Sequence, residues 1–361
     1  MDTPTYANVT RVAVASGIVS TPAAERGILT HLDTASRHIE SLCGGRRFYP
    51  VRETRTFDWP DPTGGTRGER LWLDDNELAG PPTAITVAGA AFTAYKLRPH
   101  DAPARYGRPY RWIEPDFDTT AFFSPFSSGS AGPQDAISIT GPFGYSETLT
   151  ETTALAGAVS STTATTITIA DSTRIAAGDA IQIGSEYLIV TASAFTSTGD
   201  TLAADLAVDA TDDAIAVADG TAYTEGELLR IDRERMEIDE INGNTLYVRR
   251  STRSRIAAHT TGTSIQAPRQ LTVTRGALGT TAATHTDTTA VYRLSYPPHV
   301  EQLTVALTLV ALANERAGWA RTVGEGEGER EMSTRNLDKL EATVRRKYGQ
   351  RARVRAAGGM P

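Results

Sequence analysis

The sequence predicts an α+β chain: a helical core, made of an N-terminal helix, a strand region and two C-terminal helices, interrupted by two nested all-β modules. Three observations predict it. Apolar residues recur at three- and four-residue steps near both ends of the chain. The middle is rich in threonine and other β-branched residues, which favour strands. Residues 155–293 also repeat internally.

The first helix is expected over 22–43. Thr21 suits the N-cap, Pro22 the first helical position, and Glu25 completes a capping-box spacing. Ile28, Leu29, Leu32, Ala35, Ile39 and Leu42 lie on one face, and Gly44-Gly45 ends it. The stretch Val12–Val19 reads equally as a short strand or an anchoring arm. From Arg46 to about Ser146 short strands are expected, with a turn at Pro60–Gly65 and a loop over 115–133 carrying Phe117, Phe122, Phe123 and Phe126.

Thr166–Val190 aligns with Ala214–Ile238 at an offset of 48 without a gap. Ile167/Ile215, Asp171/Asp219, Gly178/Gly226, Ile183/Ile231 and Glu186/Glu234 are among the identities. A second half-unit also occurs twice, as Asn244–Arg250 leading to His259 and as Leu271–Arg275 leading to His285. The first copy's second half appears only after the second copy is complete. Nesting follows: a module at about 212–266 inside one spanning 151–295. The remaining divisions are 1–150, the first part of the core; 296–332, a buried helix and hinge; and 333–361, a basic helix and tail. Leu303, Ala306, Leu307, Val310, Ala311 and Ala313 mark the buried helix, and 324–329 (GEGEGE) the hinge.

Composition excludes several classes. No run reaches eighteen apolar residues, so no membrane span is expected, and the N-terminus has no secretory pattern. Cys43 is the sole cysteine, which rules out an internal disulfide and suits a reducing compartment. A net charge of −7 argues against a nucleic-acid coat. Only Lys96, Lys339 and Lys347 of the 36 basic residues are lysines.

No phosphate loop, nucleophile elbow, zinc-protease helix or calcium loop is present, so neither enzymatic activity nor any cofactor or metal is expected. The paired carboxylates Glu186/Glu234 and Asp171/Asp219 have the chemistry of a glycoside hydrolase, but Asp-Ser/Gly-Thr suits a turn cap better. His259 and His285 read as hydrogen bonds closing a hairpin turn; His31 and His38 read as polar-face residues. The charged patch is C-terminal. From Arg335 to Arg355 eight basic residues face two acidic ones. The helix of about 334–348 has a thin apolar stripe, Leu337, Leu340 and Val344, with Tyr348 at its end, too narrow to be stable alone. With Arg345, Arg346, Lys347, Arg351 and Arg353 it forms the expected partner-docking surface.

Ala35–Glu40 followed by Gly45-Arg-Arg-Phe48, then Leu71–Asp75, Tyr95–Pro99 and Ile139–Tyr145, resembles the head–tail connector (adaptor) proteins of long-tailed double-stranded DNA bacteriophages. Pro297-Pro298 and Leu303–Ala313 resemble the helix that there follows the Gly-x-x-Gly-Tyr turn almost directly; here about 150 residues intervene. The likeness covers about 20–150 and 295–350. It implies a structural virion protein in the neck, made in the host cytoplasm: a homo-oligomeric ring, a dodecamer, between the portal protein and the next neck or tail-terminator protein. DNA would pass through it without sequence-specific binding, and no membrane is involved. The docking residues above would meet the portal. The alternative is a phage tail or surface protein that binds host glycan through its β modules.

Overall fold

The computed structural model describes residues 3–18, 21–58, 70–116, 118, 134–316, 322–323, 330–331 and 335–350. The turn at 60–65, Phe117, Phe122, Phe123, Phe126, the hinge at 324–329, Arg351, Arg353 and Arg355 lie outside them.

The expectation of a helical core is overturned. Among the described residues there are five α-helices, and seventeen strands form three antiparallel sheets of four, ten and three strands. Three apolar clusters are built by strands and one by helices. The helical periodicities are real, but the short strands between them make most of the core. The chain divides into two compact units, 1–37 with 149–294 and 299–338, and 38–148 with 295–298 and 339–361.

In the first unit, α1 (Val9–Ser16) makes residues 12–16 helical, neither the strand nor the arm expected there. The Asn8 side chain accepts from the Arg11 N–H at 3.0 Å, and Gly17 ends the helix in the left-handed conformation. The expected cap of α2 (Pro22–Leu42) is present, with Thr21 Oγ1 accepting from the Ala24 N–H at 3.2 Å. α4 (Pro298–Arg316) buries Leu303, Thr304, Thr308 and Leu312. Its threonines tolerate burial because each hydroxyl donates one turn back, Thr304 to the Val300 carbonyl and Thr308 to that of Thr304. Apolar residues of α1, α2 and α4 pack together with Ala177.

The ten-stranded sheet carries both β modules. In the first, Thr166–Thr168 pairs with Ser264–Ala277 through Ile167↔Leu271. Ala180–Ile183 pairs with Glu186–Thr201, and with Ala290–Ser295 through Ile183↔Val291. The second repeats each pairing. Ala214–Ala216 meets Thr245–Arg249 through Ile215↔Leu246, Leu228–Ile231 pairs with Glu234–Asn242, and Ile231 faces Ile265. Strands Glu186–Thr201 and Ser264–Ala277 run antiparallel over most of their length, with several bulges. The N-terminal part of Ser264–Ala277 serves the second module and its C-terminal part serves the first. Ile167, Ile169, Ile181 and Ile183 are interior in one cluster; Ile215, Val217, Leu229 and Ile231 are interior in the other.

The N-terminal segment docks on the first module. The Thr5 and Val9 N–H groups donate to the carbonyls of Gly178 and Ala177 at 3.0 Å. The modules are therefore not an arm standing free of the first helices. Gly178 has φ +103°, and a Cβ there would collide with Thr5 Oγ1 and come within 3.2 Å of the Ala7 carbonyl oxygen.

In the second unit, Val51–Phe57 pairs with Ile137–Phe143, which also pairs with Ala84–Val87. A three-stranded sheet is built from Leu71–Trp72, Trp112–Pro115 and Tyr95–Arg98. Leu73, Leu78, Ile113, Ile137, Ile139 and Phe143 fill the core.

Gly178→Ala is expected to destabilise the first unit by on the order of 2 kcal/mol, because a left-handed backbone and a close approach are both violated. Urea unfolding followed by circular dichroism measures it; an unchanged midpoint would contradict the docking of the N-terminal segment.

Candidate functional site

The candidate docking residues lie on α5 (Arg335–Tyr348) and beyond it. Leu337 and Leu340 are half-buried, and Arg345, Arg346 and Lys347 are exposed. Val344 and Tyr348 are buried in their own chain, at 0% and 4% exposure, so these two side chains are not open to a partner. Arg351 and Arg353 fall outside the described residues.

Tyr348 explains why a thin stripe is sufficient. Its ring stands edge-on to Phe48 at 5.7 Å and to Tyr145 at 5.6 Å, and those two rings are 5.4 Å apart. Arg46 donates to the Tyr348 carbonyl, and the Gln350 N–H donates to that of Cys43 at 3.1 Å. The turn that supplies Tyr145 is tied down by its backbone: Tyr145 N–H donates to the Arg47 carbonyl and Gly144 N–H to that of Glu77. A Cβ at Gly144 would overlap the Tyr49 carbonyl.

Arg46 also pairs with the buried Glu77 at 2.9 Å, and Arg111 approaches the same oxygen at 3.4 Å. Burial raises the Glu77 carboxyl above its ordinary value against the pull of both arginines. His38 lies 3.5 Å from Glu341 of α5. In the first unit His31 meets Glu315 at 2.8 Å.

The matched carboxylates of the β modules are bound up in structure. Glu186 is fully buried. It accepts from Arg275 at 2.7 and 2.8 Å, from the Gly276 and Ala283 N–H groups at 2.9 and 3.0 Å, and from His285 at 2.8 Å. Glu234 has the same set: Arg250, the Ser251 and Ala257 N–H groups, and His259. Each cluster ties the loop carrying the histidine to the hairpin carrying the glutamate. Each histidine also sits at a backbone bridge, Val159↔His285 and Leu206↔His259. Burial opposes the charge on Glu186, but the Arg275, Ala283, His285 and Gly276 donors outweigh it and bring its pKa to about 2. Glu234 is lowered by the corresponding partners against its own burial. With every oxygen engaged, neither carboxylate is placed to attack or protonate a substrate. Asp171 and Asp219 cap the Thr173 and Thr221 N–H groups at 2.8 and 3.0 Å.

A further matched pair escaped the sequence reading because its two members differ in type. Asp179 and Glu227 occupy equivalent positions, and both are fully buried. Asp179 accepts from Asn8 of the N-terminal segment and from Arg293, each at 2.8 Å. Glu227 accepts from Ser172 of the first module and from Arg269. The same position thus latches the N-terminal segment onto the first module and the first module onto the second. Among the described residues no group of three or more His, Cys, Asp or Glu residues could hold a metal ion. No helix there is long and apolar enough to cross a membrane.

Because the folded pKa of Glu186 lies below its ordinary 4.5, its stabilising contribution is complete above that pH and is lost as pH falls toward 2. Glu186→Gln is expected to lower stability at pH 7 and to flatten the loss between about 4.5 and 2, read from urea midpoints across that range. Burial pushes the Cys43 thiol up to about 11, so it should resist a thiol reagent at pH 8 until the chain unfolds. Tyr348→Ala is expected to cost about 3 kcal/mol and to make Cys43 reactive under native conditions; an unreactive thiol in that variant would contradict the packing of α5. No family model, curated protein or solved structure matches this chain, so its function is read from its own residues.

Proposed function

We propose that the chain is a non-enzymatic virion protein, a head–tail connector that assembles into a ring between portal and tail and lets DNA pass through its centre. One observation carries this reading. The segments that resemble connectors, Gly45–Phe48 and Ile139–Tyr145, come together with α5 in one aromatic cluster, although they lie far apart in sequence. Such a convergence is what a shared core requires. The reading does not need the helical core that the sequence predicted. The saturated state of Glu186 and Glu234 weighs against the hydrolase alternative.

The portal-facing surface consists of Arg345, Arg346 and Lys347, which leave α5 exposed while Val344 and Tyr348 anchor it. Exposed guanidinium groups suit carboxylates on a partner, and each pair adds geometric selectivity.

Mass measurement and negative-stain imaging of the purified chain, alone and with its portal ring, test the proposal. A ring-sized assembly with a central hole is expected. A monomer or trimer that leaves the portal unbound would overturn it, and a trimer would favour the tail-protein alternative. Arg345→Glu with Arg346→Glu is expected to abolish joining of tails to filled heads while leaving the melting curve unchanged.

A further inference from the structure

The first unit contains a cavity of about 380 Å³ where α1 and α2 face the two β modules. Arg230, Arg235 and Arg253 line it around the ring of Phe195. The guanidinium carbons of Arg230 and Arg235 lie 4.5 and 5.3 Å from the ring centroid. None of the three arginines forms an ion pair among the described residues. By contrast Arg250, Arg269, Arg275 and Arg293 of the same unit each meet a buried carboxylate. Glu237 also lines the cavity, but it pairs with Arg249 at 2.7 Å. Glu25 also lines the cavity, and its negative charge acts on Arg235.

The duplication separates what the fold needs from what this cavity needs. At the positions equivalent to Arg230 and Arg235 the first module has Gln182 and Tyr187. Arg253 (φ +55°) corresponds to Leu278 (φ +53°), each three residues after the arginine that binds the buried glutamate. The module therefore folds without a positive charge at any of the three sites. Three like charges around one cavity repel one another; Glu25 offsets part of that at Arg235, and a bound anion would offset more.

We propose that this cavity is a binding site for a small oxyanion, a phosphate or carboxylate group held by Arg230, Arg235 and Arg253 against Phe195. Arg230 gives its Nε and one terminal nitrogen to Gln266 and offers an anion its remaining N–H groups, and Phe195 keeps Arg230 and Arg235 in position. The site is independent of the connector reading.

Calorimetric titration of the full chain with inorganic phosphate and with citrate, at low ionic strength, tests it. Saturable binding of either is expected, and the preferred anion identifies the ligand's headgroup. Arg230→Gln with Arg253→Leu installs the residues that the first module already carries. This variant should remain folded yet bind at least about tenfold more weakly. Arg253→Leu alone, which leaves the Arg230–Gln266 hydrogen bond intact, should show the same loss in smaller measure. Failure of both anions to bind, or unchanged affinity in a folded variant, would overturn the proposal.

Discussion

A glutamate buried beneath a loop sets the terms for both β modules. A carboxylate without water is costly unless every lone pair is met. Glu186 and Glu234 meet that condition with an arginine, two backbone N–H groups and a histidine each. Arg275 and Gly276 come from a strand, and Ala283 and His285 from the loop that follows it. The loop path in each module is thus specified by hydrogen-bond satisfaction, and the isoleucine-rich interior beneath it needs only to be filled.

Such a constraint leaves a visible trace in sequence. Glu, Arg and His recur at matching positions in both copies, since losing any one would strand the others. The boundaries of α2 and α5 were also legible, because caps and apolar spacing are local, whereas α1 was read as a strand or an arm. The partners of a residue far along the chain were not. The stripe on α5 looks too thin to fold alone; the rings that complete it, Phe48 and Tyr145, come from distant segments. Periodicity carries no information about such a partner. Asp179 and Glu227 were missed for a related reason: a shared role was filled by two acids of different length.

The balance between helix and strand was misjudged on physical grounds as well. Long amphipathic helices announce themselves by repeated spacing, whereas the strands of residues 51–143 span two to seven residues and overlap only through their neighbours. A core assembled from many such pieces has no single strong signal. Several of its residues, Glu77 and Arg46 among them, are charged and look like surface positions.

The shared strands also order events during synthesis. The first module lacks its closing segment until residues 271–292 leave the ribosome, by which time all of the second has emerged. Pairing within the inner module brings residue 201 beside residue 264 before the closing segment is needed. For the outer module, a loop of roughly sixty residues then behaves as a short, stiff connection, and most of the entropy of closing it has already been spent. A nested arrangement of this kind lets the inside fold before the outside.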